Sequence, residues 1–436
     1  MRATRMTKLV TLLAVAGLGV AACGSDKKSS DAVASTAAAA GSTASSGSVA
    51  GTTATPGTTG STATPGSTAT PVTTASTGVK SANFCDASKA PAKLTKVKLQ
   101  LQWFTQAQFA GYFAAVDQGC YAEAGLDVQI LEGGVDIVPQ TQLADGQVDF
   151  AIAWVPKALA SREAGANIVD IAQVFQRSGT LQVSFKDKNI TKPADFKGKK
   201  IGNWGYGNEY EIFAALAAAK LSAGTDVTLI AQQFDMSGLI SGDIDAAEAM
   251  TYNEYAQVLE TKNPKTGALY TPADFNVVSY EAAGVGMLQD AIWADGKRLA
   301  GDAAYKDTAV KFVKASLKGW VGCRDHPETC RDIVVAKGSK LGNSHQLWQV
   351  NEINKLIWPA TAGIGHIDTA SWDRTVKIAS STANADGQKI ITKDPGATAY
   401  TNDIVDAALK ELKAEGVETT GASFKPLTVE LKEGGS

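Results

Sequence analysis

The chain has 436 residues, of which 44 % are hydrophobic and 19 % charged, and this length suffices for two ordinary globular domains. Its 41 basic and 44 acidic side chains leave a net charge of −3, and no basic run or basic-aromatic stripe points to a nucleic-acid partner. The one apolar run near membrane-spanning type lies at the start of the chain and is too short to cross a bilayer.

Residues 1–22 are predicted to be a targeting segment. Arg2, Arg5 and Lys8 form a positive start, and residues 9–20 form an apolar core. Small residues then precede Cys23, as in a bacterial lipobox, which predicts cleavage before Cys23 and a lipid on its thiol. The alternative is a plain secretory signal in which Cys23 has no role. The lipobox predicts a protein anchored by lipid to the extracytoplasmic face of the bacterial cell membrane.

Residues 23–92 are predicted to hold this lipidated cysteine and a disordered tether. Residues 25–77 consist almost entirely of Ser, Thr, Ala, Gly and Pro, and Thr-Ala-Thr-Pro recurs from Thr53, Thr62 and Thr68. Such a segment has too little apolar surface to offset its chain entropy. As a coil of about 50 residues it would hold the folded part roughly 40 Å from the membrane. Its composition leaves open whether it carries glycans.

Four further cysteines are expected to form disulfides, because the protein is predicted to lie outside the cytoplasm. Cys323 and Cys330 are close in sequence and form the preferred pair. Cys85 with Cys120 would pin the start of the fold to the end of its first helix, but this pairing stays open. A metal site is disfavoured, since neither a histidine nor a second cysteine stands at ligand spacing.

From residue 97 onward, strands and helices alternate. Strands are predicted over 97–103, 126–131, 148–154 and 168–175, with helices over 109–118, 135–144 and 157–164. Alternating units of this length predict a mostly parallel sheet covered by helices.

A second alternating set begins near residue 180. Its strands are predicted over 181–185, 201–204, 227–232 and 244–250, and its helices over 210–221, 236–241 and 253–260. Strands over 277–280 and 287–294 should return toward the first set, and helices follow over 304–321, 331–336, 347–358, 369–380 and 403–415. We therefore expect an α/β protein with two lobes, residues 93–178 beginning lobe 1, residues 179–290 forming lobe 2, and residues 291–436 returning to lobe 1 with the C-terminal helices. Two crossings between the lobes make a hinge beside a ligand cleft.

The loops that follow strands are the candidate site, because ligands of open α/β sheets bind at the carboxyl ends of strands. In lobe 1 these loops carry Trp103, Phe104, Gln106, Gln108, Gly134, Asp136, Trp154 and Arg177. In lobe 2 they carry Trp204, Tyr206, Asn208, Glu209, Glu211, Asp235, Tyr252 and Asn253. So many aromatic and amide side chains suit a flat ligand with polar edges, although each loop alone is compatible with ordinary core packing.

The expected arrangement places Trp204 and Tyr206 opposite Trp103 and Phe104 or Trp154, with the ligand ring between them. Glu209 or Glu211 should accept hydrogen bonds from the ring's polar edge; the alternative is that either acid only favours the positive end of the following helix. No catalytic set is visible, since His326, His345 and His366 lie in the C-terminal part, away from these loops. We therefore expect a binding protein without a cofactor; an enzyme or a sensor lipoprotein on the same fold is the alternative.

Four segments carry a family resemblance: Gly119-x-Tyr121-x-x-x-Gly125-Leu126-Asp127-Val128, Gly133-Gly134, Leu143-Ala144-x-Gly146-x-x-Asp149-Phe150 and Asp195-Phe196-Lys197-Gly198-Lys199. Through them the chain resembles solute-binding proteins of ABC transporters. It is most similar to the branch with thiamine-pyrimidine-precursor binders, fungal pyrimidine synthases, and sulfonate and nitrate binders. The resemblance implies a type II periplasmic-binding-protein fold, a small-molecule ligand, a permease partner with a cytoplasmic ATPase, and a monomer.

Two departures from this branch narrow the expected ligand. Sulfonate and nitrate binders hold their anion with small hydroxyl residues and helix N-termini, whereas this chain carries Glu209 and Glu211 in the corresponding loop. The fungal synthases use a cysteine-rich motif with a reactive lysine and histidine, and this chain has no cysteine between Cys120 and Cys323. A neutral or cationic ring remains, either an aminopyrimidine thiamine precursor or a riboflavin-like molecule; an anion binder and a synthase-like enzyme are the alternatives.

Overall fold

A computed structural model describes residues 84–338 and 340–435 of the chain. The predicted signal segment, Cys23 and the repeats of the tether lie outside the described residues, so those predictions remain predictions. The ordered part begins before residue 93, because Phe84 packs against the core and Cys85 is bonded to Cys120. The end of the segment expected to be a tether therefore belongs to the folded domain.

Ten strands are present in the described residues: β1 (Thr95–Gln100), β2 (Leu126–Leu131), β3 (Phe150–Trp154), β4 (Ile168–Gln173), β5 (Thr180–Phe185), β6 (Lys200–Asn203), β7 (Thr228–Ala231), β8 (Ala247–Met250), β9 (Phe275–Ser279) and β10 (Asp290–Asp295). They form a five-stranded sheet in the order β2-β1-β3-β10-β4, a three-stranded sheet β8-β5-β9 and a pair β6-β7. The five-stranded sheet belongs to lobe 1 and the other two to lobe 2.

The helices over the same residues are α1 (Ala110–Asp117), α2 (Cys120–Glu123), α3 (Pro139–Ala144), α4 (Val155–Glu163), α5 (Tyr210–Ala218), α6 (Ser237–Ser241), α7 (Glu254–Leu259), α8 (Gly296–Gly301), α9 (Ala303–Asp325), α10 (Pro327–Val335), α11 (Asn343–Ile357), α12 (Thr369–Ser381) and α13 (Asp403–Ala414). Capping side chains determine where several of these helices begin. Asp302, for example, accepts the backbone N–H groups of Ala304 and Tyr305 at the start of α9. None of these helices has the length and apolar character needed to cross a membrane.

The expected parallel sheet is only partly present. β2, β1 and β3 are parallel, and so are β6 and β7. β10 runs antiparallel to both of its neighbours, and β5 runs antiparallel to β8 and β9. β10 enters lobe 1 from lobe 2 rather than through a crossover helix, which permits this reversed direction. The prediction that residues 277–280 return to the first set is wrong, since β9 pairs with β5.

Two short crossings join the lobes, one between β4 and β5 and the other between β9 and β10. They lie side by side, because Gln289 on the second crossing hydrogen-bonds residues of the first. Its Nε2 donates to Thr180 Oγ1 at 2.8 Å, and its Oε1 accepts the Gly179 N–H at 2.8 Å. The chain thus has the two-crossing hinge that the fold class predicts.

The core of lobe 1 is built by α1 and α9 on the five-stranded sheet. A Cβ on Gly111 would lie 2.2 Å from the Trp320 ring, so the contact between these helices requires glycine at position 111. Stacked rings continue the packing, with centroids of Phe150 and Phe312 4.3 Å apart. This close packing fixes the start of α1, and with it the loop that follows β1.

The C-terminal helices contact both lobes, which corrects their expected assignment to lobe 1 alone. On α11, Trp348 Nε1 donates to the Thr251 carbonyl at 3.0 Å in lobe 2. On α12, Thr375 Oγ1 accepts the Leu288 N–H at 2.9 Å on a crossing. These two helices therefore support the hinge and one side of the cleft.

Two disulfides are present among the described residues, and one of them is the preferred pair. The Cα atoms of Cys323 and Cys330 are 5.4 Å apart, and those of Cys85 and Cys120 are 5.0 Å apart. Both distances fall in the ordinary range for a disulfide. The pairing of Cys85 with Cys120, which the sequence leaves open, attaches the segment around Cys85 to α2.

Candidate functional site

A cavity of about 630 Å³ lies between the two lobes. Its walls come from the stretches after β1, β2, β6, β7 and β8 and from the junction of β3 with α4, which is the edge of the sheets where a ligand of this fold class is expected. A stretch after α12 closes one side with Asn384, Gln388, Lys389 and Ile390. The volume falls in the range of small-molecule sites, roughly 300–1,000 Å³.

Most of the predicted site residues line this cavity. They are Trp103, Gln106, Gln108, Gly134, Trp154, Trp204, Tyr206, Asn208, Glu209, Tyr252 and Asn253. A polar or aromatic residue near the end of a strand therefore faces this cavity in most of the predicted loops. Whether they contact a ligand remains a proposal.

Three predicted residues, Phe104, Asp136 and Asp235, do not line the cavity. Phe104 is half-exposed and packs edge-on against Trp103, with ring centroids 5.2 Å apart. Asp136 is exposed to solvent on the turn that precedes α3. Asp235 accepts the Ser237 N–H at 2.9 Å at the start of α6. Their positions after strands are as expected, but their side chains point elsewhere.

Arg177 and Glu211 also lie outside the cavity, and both hold the hinge. The Arg177 guanidinium donates to the Leu356 carbonyl in the last turn of α11, at 3.2 Å, and to the Pro359 carbonyl just after it, at 2.8 Å. Glu211 is buried on α5 and accepts the Met287 N–H at 2.6 Å. Neither is placed to meet a molecule in the cavity.

The Glu211 carboxylate joins the two crossings to lobe 2. It accepts a hydrogen bond from the Met287 N–H on the second crossing. It also accepts one from the Ser178 hydroxyl on the first crossing, at 3.0 Å. Burial raises its pKa to about 7, although these hydrogen bonds oppose the rise. The role expected of Glu211, to bind a ring edge or to favour a helix end, is replaced by a structural role in the hinge.

The aromatic residues of the two lobes meet through Phe234. Its ring lies 5.0 Å from that of Trp103 in lobe 1 and is stacked 6.1 Å from that of Trp204 in lobe 2. Tyr206 was expected to face the lobe 1 rings, but its side chain is 77 % exposed and its φ is +55°. Gly205 and Gly207 beside it have φ of +69° and +85°, so this loop turns Tyr206 outward.

Phe234 was missed although the sequence holds a signal for it. It follows β7, just as the predicted residues follow their strands, and Asp235 was chosen one position later. An aromatic residue at that position is the better candidate, since it offers a flat apolar face to the cavity.

Asp290 organises the wall of lobe 1 from behind. It accepts hydrogen bonds from Gln102 Nε2 at 2.6 Å, Trp154 Nε1 at 2.8 Å and Gln108 Nε2 at 3.0 Å. Burial raises its pKa to about 7 despite these donors. The sequence does carry a signal for Asp290, because an acidic residue stands within the otherwise largely apolar strand predicted over 287–294. By orienting two amides and an indole, Asp290 fixes the polar surface that lobe 1 presents.

A chain of buried polar groups runs behind the cavity from lobe 1 to lobe 2. Gln106 donates to Gln108 Oε1 at 2.8 Å and accepts Gln349 Nε2 at 3.1 Å. Gln349 Nε2 also donates a hydrogen bond to Asn253 Oδ1 at 2.8 Å. His345 Nε2 lies within hydrogen-bond distance of the same oxygen, at 3.0 Å. The expectation that all histidines lie away from the site loops is therefore wrong for His345, which α11 brings to Asn253.

The lobe 2 wall is rich in carboxyl groups. Glu209 accepts the Gly207 N–H at 2.9 Å, and Glu254 accepts Asn253 Nδ2 at 2.7 Å. Behind them, buried Glu248 accepts the Trp204 N–H at 2.8 Å. Burial raises the pKa of Glu254 and that of Glu248. This wall therefore offers hydrogen-bond acceptors, and Glu209 is the acid there that the sequence identified.

Lys157 is a further cavity residue that its position in the sequence does not identify. It lines the cavity from the first turn of α4, directly after the predicted loop at Trp154. Its Nζ lies 5.0 Å from the centroid of the Trp154 ring. Burial lowers the pKa of this ammonium, while Glu248, Glu209 and Asp290 oppose the fall. The cavity thus carries a cation as well as acids.

The family of the chain follows from its sequence pattern. Residues 106–330 match the family described as NMT1/THI5 like. The chain belongs to this family. The matched range holds every lining loop from Gln106 to Glu254, whereas the lining residues Asn384–Ile390 lie beyond it. The side of the cavity after α12 is therefore outside the pattern that defines NMT1/THI5-like proteins.

Two curated relatives are similar to this NMT1/THI5-like chain over most of their length. The formylaminopyrimidine-binding protein of Halalkalibacterium halodurans is 22 % identical over 290 residues, which are 65 % of this chain and 84 % of the relative. The riboflavin-binding protein RibY of Chloroflexus aurantiacus is 26 % identical over 301 residues, 66 % of this chain and 81 % of the relative.

A solved structure shows the fold. The periplasmic sulfonate-binding protein SsuA of Methylobacillus flagellatus superposes with a TM-score of 0.53 at 17 % identity, over 78 % of this chain and 99 % of that structure. The expected type II periplasmic-binding-protein fold is thereby confirmed, with two lobes and a cleft between them.

Proposed function

We propose that this NMT1/THI5-like protein is the solute-binding lipoprotein of an ABC importer. It captures a small heteroaromatic nutrient, of the aminopyrimidine thiamine-precursor class or the riboflavin class, and delivers it to a membrane permease. It acts as a binding protein and not as an enzyme. The observation that carries this proposal is the contact of Trp103 from lobe 1 with Phe234 from lobe 2 at the cavity, with Trp204 stacked behind Phe234.

The chemistry of the walls supports a flat ligand with polar edges. Aromatic rings from both lobes contribute about 0.5–1.5 kcal/mol per stacked pair beyond the area that they bury. Hydrogen bonds to a charged group such as Glu209 add about 1.5–3 kcal/mol each. A few such contacts offset the cost of closing the lobes and support micromolar or tighter capture.

The size of the cavity and the relatives support the same class. A volume of about 630 Å³ accommodates a fused ring system with a side chain as well as a single pyrimidine. Curated relatives in other organisms are named for binding formylaminopyrimidine and riboflavin, both of them heteroaromatic compounds. Glu209 on the lobe 2 wall disfavours a bare anion such as nitrate beside it, because like charges repel.

Tryptophan fluorescence and calorimetry test the proposal. Riboflavin and an aminopyrimidine should be titrated separately into the purified protein, with nitrate and an alkyl sulfonate as controls. We expect at least one ring compound to quench the emission of Trp103 or Trp204 and to bind orders of magnitude more tightly than either anion. Tight binding of nitrate or sulfonate without a response to any ring compound would refute the heteroaromatic ligand and leave the fold assignment intact.

A further inference from the structure

His345 is a buried histidine of α11 whose two ring nitrogens both face oxygen atoms of lobe 2. Its Nδ1 lies 2.9 Å from Glu260 Oε2, and its Nε2 lies 3.0 Å from Asn253 Oδ1. These two oxygen-bearing residues stand at opposite ends of α7, and Asn253 lines the cavity. A neutral imidazole carries one N–H and cannot donate to both oxygens. The hydrogen-bond roles of the neighbouring groups therefore decide which protons the ring carries.

A backbone N–H fixes the amide of Gln349, which is one turn away from His345 on α11. The Gln108 N–H donates to Gln349 Oε1 at 3.2 Å, and because a backbone N–H can only donate, the opposite end of this amide is its NH₂ group. The two N–H bonds of that group go to Gln106 Oε1 at 3.1 Å and to Asn253 Oδ1 at 2.8 Å. The Gln349 amide therefore has no N–H left for His345 Nε2, which lies 3.2 Å away.

The Asn253 amide is also fixed from its other end. Its Nδ2 donates to Glu254 Oε1 at 2.7 Å, while Glu254 Oε2 accepts the Met250 N–H at 2.9 Å. The oxygen of Asn253 therefore faces the His345 ring, and a bare Nε2 would direct its lone pair at that oxygen across 3.0 Å. It follows that His345 Nε2 carries a proton and donates it to Asn253.

The Glu260 carboxyl decides the state of the other ring nitrogen. Since Nε2 of His345 is protonated, a bare Nδ1 would direct a second lone pair at a carboxylate oxygen 2.9 Å away. One proton therefore lies between the two groups, and it belongs on the imidazole, which is the stronger base by about two pH units. Glu254 is a second acid near the ring: burial raises its pKa, and His345 is among the groups that oppose the rise.

These bonds determine what Asn253 can offer to a bound molecule. Its oxygen accepts from both Gln349 and His345, so its two acceptor positions are taken. One of its two N–H bonds goes to Glu254, and in the part of the chain that the structure describes no second acceptor lies within hydrogen-bond distance of Nδ2. The remaining N–H makes Asn253 a hydrogen-bond donor in the wall of the cavity.

We propose that His345 is a positioning residue of the ligand site. As an imidazolium paired with Glu260, it occupies the Asn253 oxygen together with Gln349 and leaves one Asn253 N–H for the ligand. This inference rests on the proposed heteroaromatic ligand and adds that the ligand places a hydrogen-bond acceptor, a ring nitrogen or a ring carbonyl, against Asn253.

His366 provides a matched control for the protonation of His345. Its Nδ1 also lies 2.9 Å from an acid, Asp406 Oδ1. Its Nε2, however, lies 3.4 Å from Asn402 Nδ2, and the Asn402 oxygen accepts the Ile367 N–H, so an N–H of Asn402 faces this nitrogen. The same reasoning therefore gives His366 a bare Nε2 and one N–H, at Nδ1.

Nitrogen NMR of the full chain, labelled in its histidine rings, compares these two residues. The spectra should be recorded at about pH 7.5, where a free imidazole is mostly neutral. Replacing the exposed His326, or His366, by glutamine assigns the three rings without altering the buried one. We expect two protonated nitrogens in His345 and one in His366. A bare nitrogen in His345 would overturn the inference.

Calorimetry with riboflavin and with an aminopyrimidine tests the role of Asn253. Asn253→Asp keeps the acceptor positions but removes the free N–H, so it should weaken the tighter of the two ring compounds at least tenfold. His345→Leu removes a donor to the Asn253 oxygen and should weaken the same compound about tenfold. His345→Gln should restore most of that affinity, because its amide can donate from the position of Nε2.

His366→Leu is the control for these variants, since His366 does not line the cavity, and it should change the affinity less than threefold. Circular dichroism and thermal unfolding should verify that each variant is folded. Unchanged affinity in Asn253→Asp, or equal affinity in folded His345→Leu and His345→Gln, would contradict the positioning role. Absence of binding by every ring compound would contradict the proposed function, whereas two protonated nitrogens in His345 would still support the imidazolium.

Discussion

At the scale of single residues, the cavity depends on side chains that reach it by two routes. Trp154 is the last residue of β3 and Glu209 follows β6, so both lie at strand ends and are identifiable in the sequence. Asp290 and Lys157 act from the first residue of β10 and from helix α4, where acids and lysines usually have other roles. A rule based on strand ends finds the first kind, whereas the second kind depends on which elements pack together.

Phe234 provides the residue-scale prediction. Phe234→Ala removes the ring between Trp103 and Trp204 and should weaken binding of a ring compound by tenfold or more, since 1.4 kcal/mol is a factor of ten. Fluorescence titration with riboflavin or the aminopyrimidine measures this change.

Tyr206→Ala is the comparison for Phe234→Ala, because Tyr206 lines the same cavity but is 77 % exposed. We expect it to change the affinity less than threefold. A larger effect at Tyr206 than at Phe234 would contradict the assignment of Phe234 as the aromatic link between the lobes.

At the scale of elements, the hinge and the lobe 1 wall of the cavity each depend on a buried acid, Glu211 and Asp290, whose pKa is raised. Burial raises the pKa of Glu211 and that of Asp290 to about 7, above ordinary values of 4.5 and 3.8. Each group therefore binds its proton more tightly in the folded protein than in the unfolded chain. Its contribution to the free energy of unfolding is complete only below its unfolded pKa and is lost as the pH rises through about 7.

We therefore expect the free energy of unfolding to fall between about pH 5 and pH 8. Asp290→Asn and Glu211→Gln should each make this decline shallower, because each removes one proton that folding takes up. Asp170 and Glu248, whose pKa values are also raised by burial, act in the same direction, so a single variant does not abolish the decline. Urea unfolding at a series of pH values measures the slope.

Glu163→Gln is the control for this slope. Hydrogen bonds from Thr392 lower the pKa of the exposed Glu163 carboxylate, so its contribution changes only in more acidic solution. The variant should leave the slope above about pH 5 unchanged. An unchanged slope in both Asp290→Asn and Glu211→Gln would show that these two acids do not titrate in this range.

The two disulfides also act at the scale of elements, and their loops differ in length. Cys323 and Cys330 are 7 residues apart, whereas Cys85 and Cys120 are 35 apart. Loop entropy assigns about 2.5 kcal/mol to the shorter bridge and about 4 kcal/mol to the longer one. Replacing Cys85 and Cys120 by serine should therefore lower the free energy of unfolding more than replacing Cys323 and Cys330.

Urea unfolding of the two double variants tests this order, and non-reducing peptide mapping of the secreted wild type tests the pairing. Peptides joined through Cys323 and Cys330, and through Cys85 and Cys120, are expected. Free thiols at all four positions would contradict both bridges.

At the scale of the whole molecule, the order of elements was predictable because hydrophobic periodicity is local. Residues 126–131 form a strand with the predicted bounds, and α13 differs from its prediction at one end only. The direction of β10 and the position of α11 across both lobes were not predictable in this way. They depend on where the chain goes after it leaves a lobe, and no local pattern around Trp348 or Gln349 encodes their partners Thr251 and Asn253 in lobe 2.

The membrane anchor is a property of the whole molecule that rests on the sequence alone. If Cys23 carries the lipid, Cys23→Ala removes both the cleavage site and the attachment point for the acyl chains. Each buried CH₂ of an acyl chain contributes about 0.8 kcal/mol to membrane binding, so the loss should release the folded domain. Fractionation of cells that express the variant or the wild type measures how much of the protein is in the membrane fraction.

Cys323→Ser serves as the control, because it also removes a cysteine but leaves the predicted lipobox intact. A variant at Cys23 that stays in the membrane fraction would show that something other than this cysteine holds the protein there.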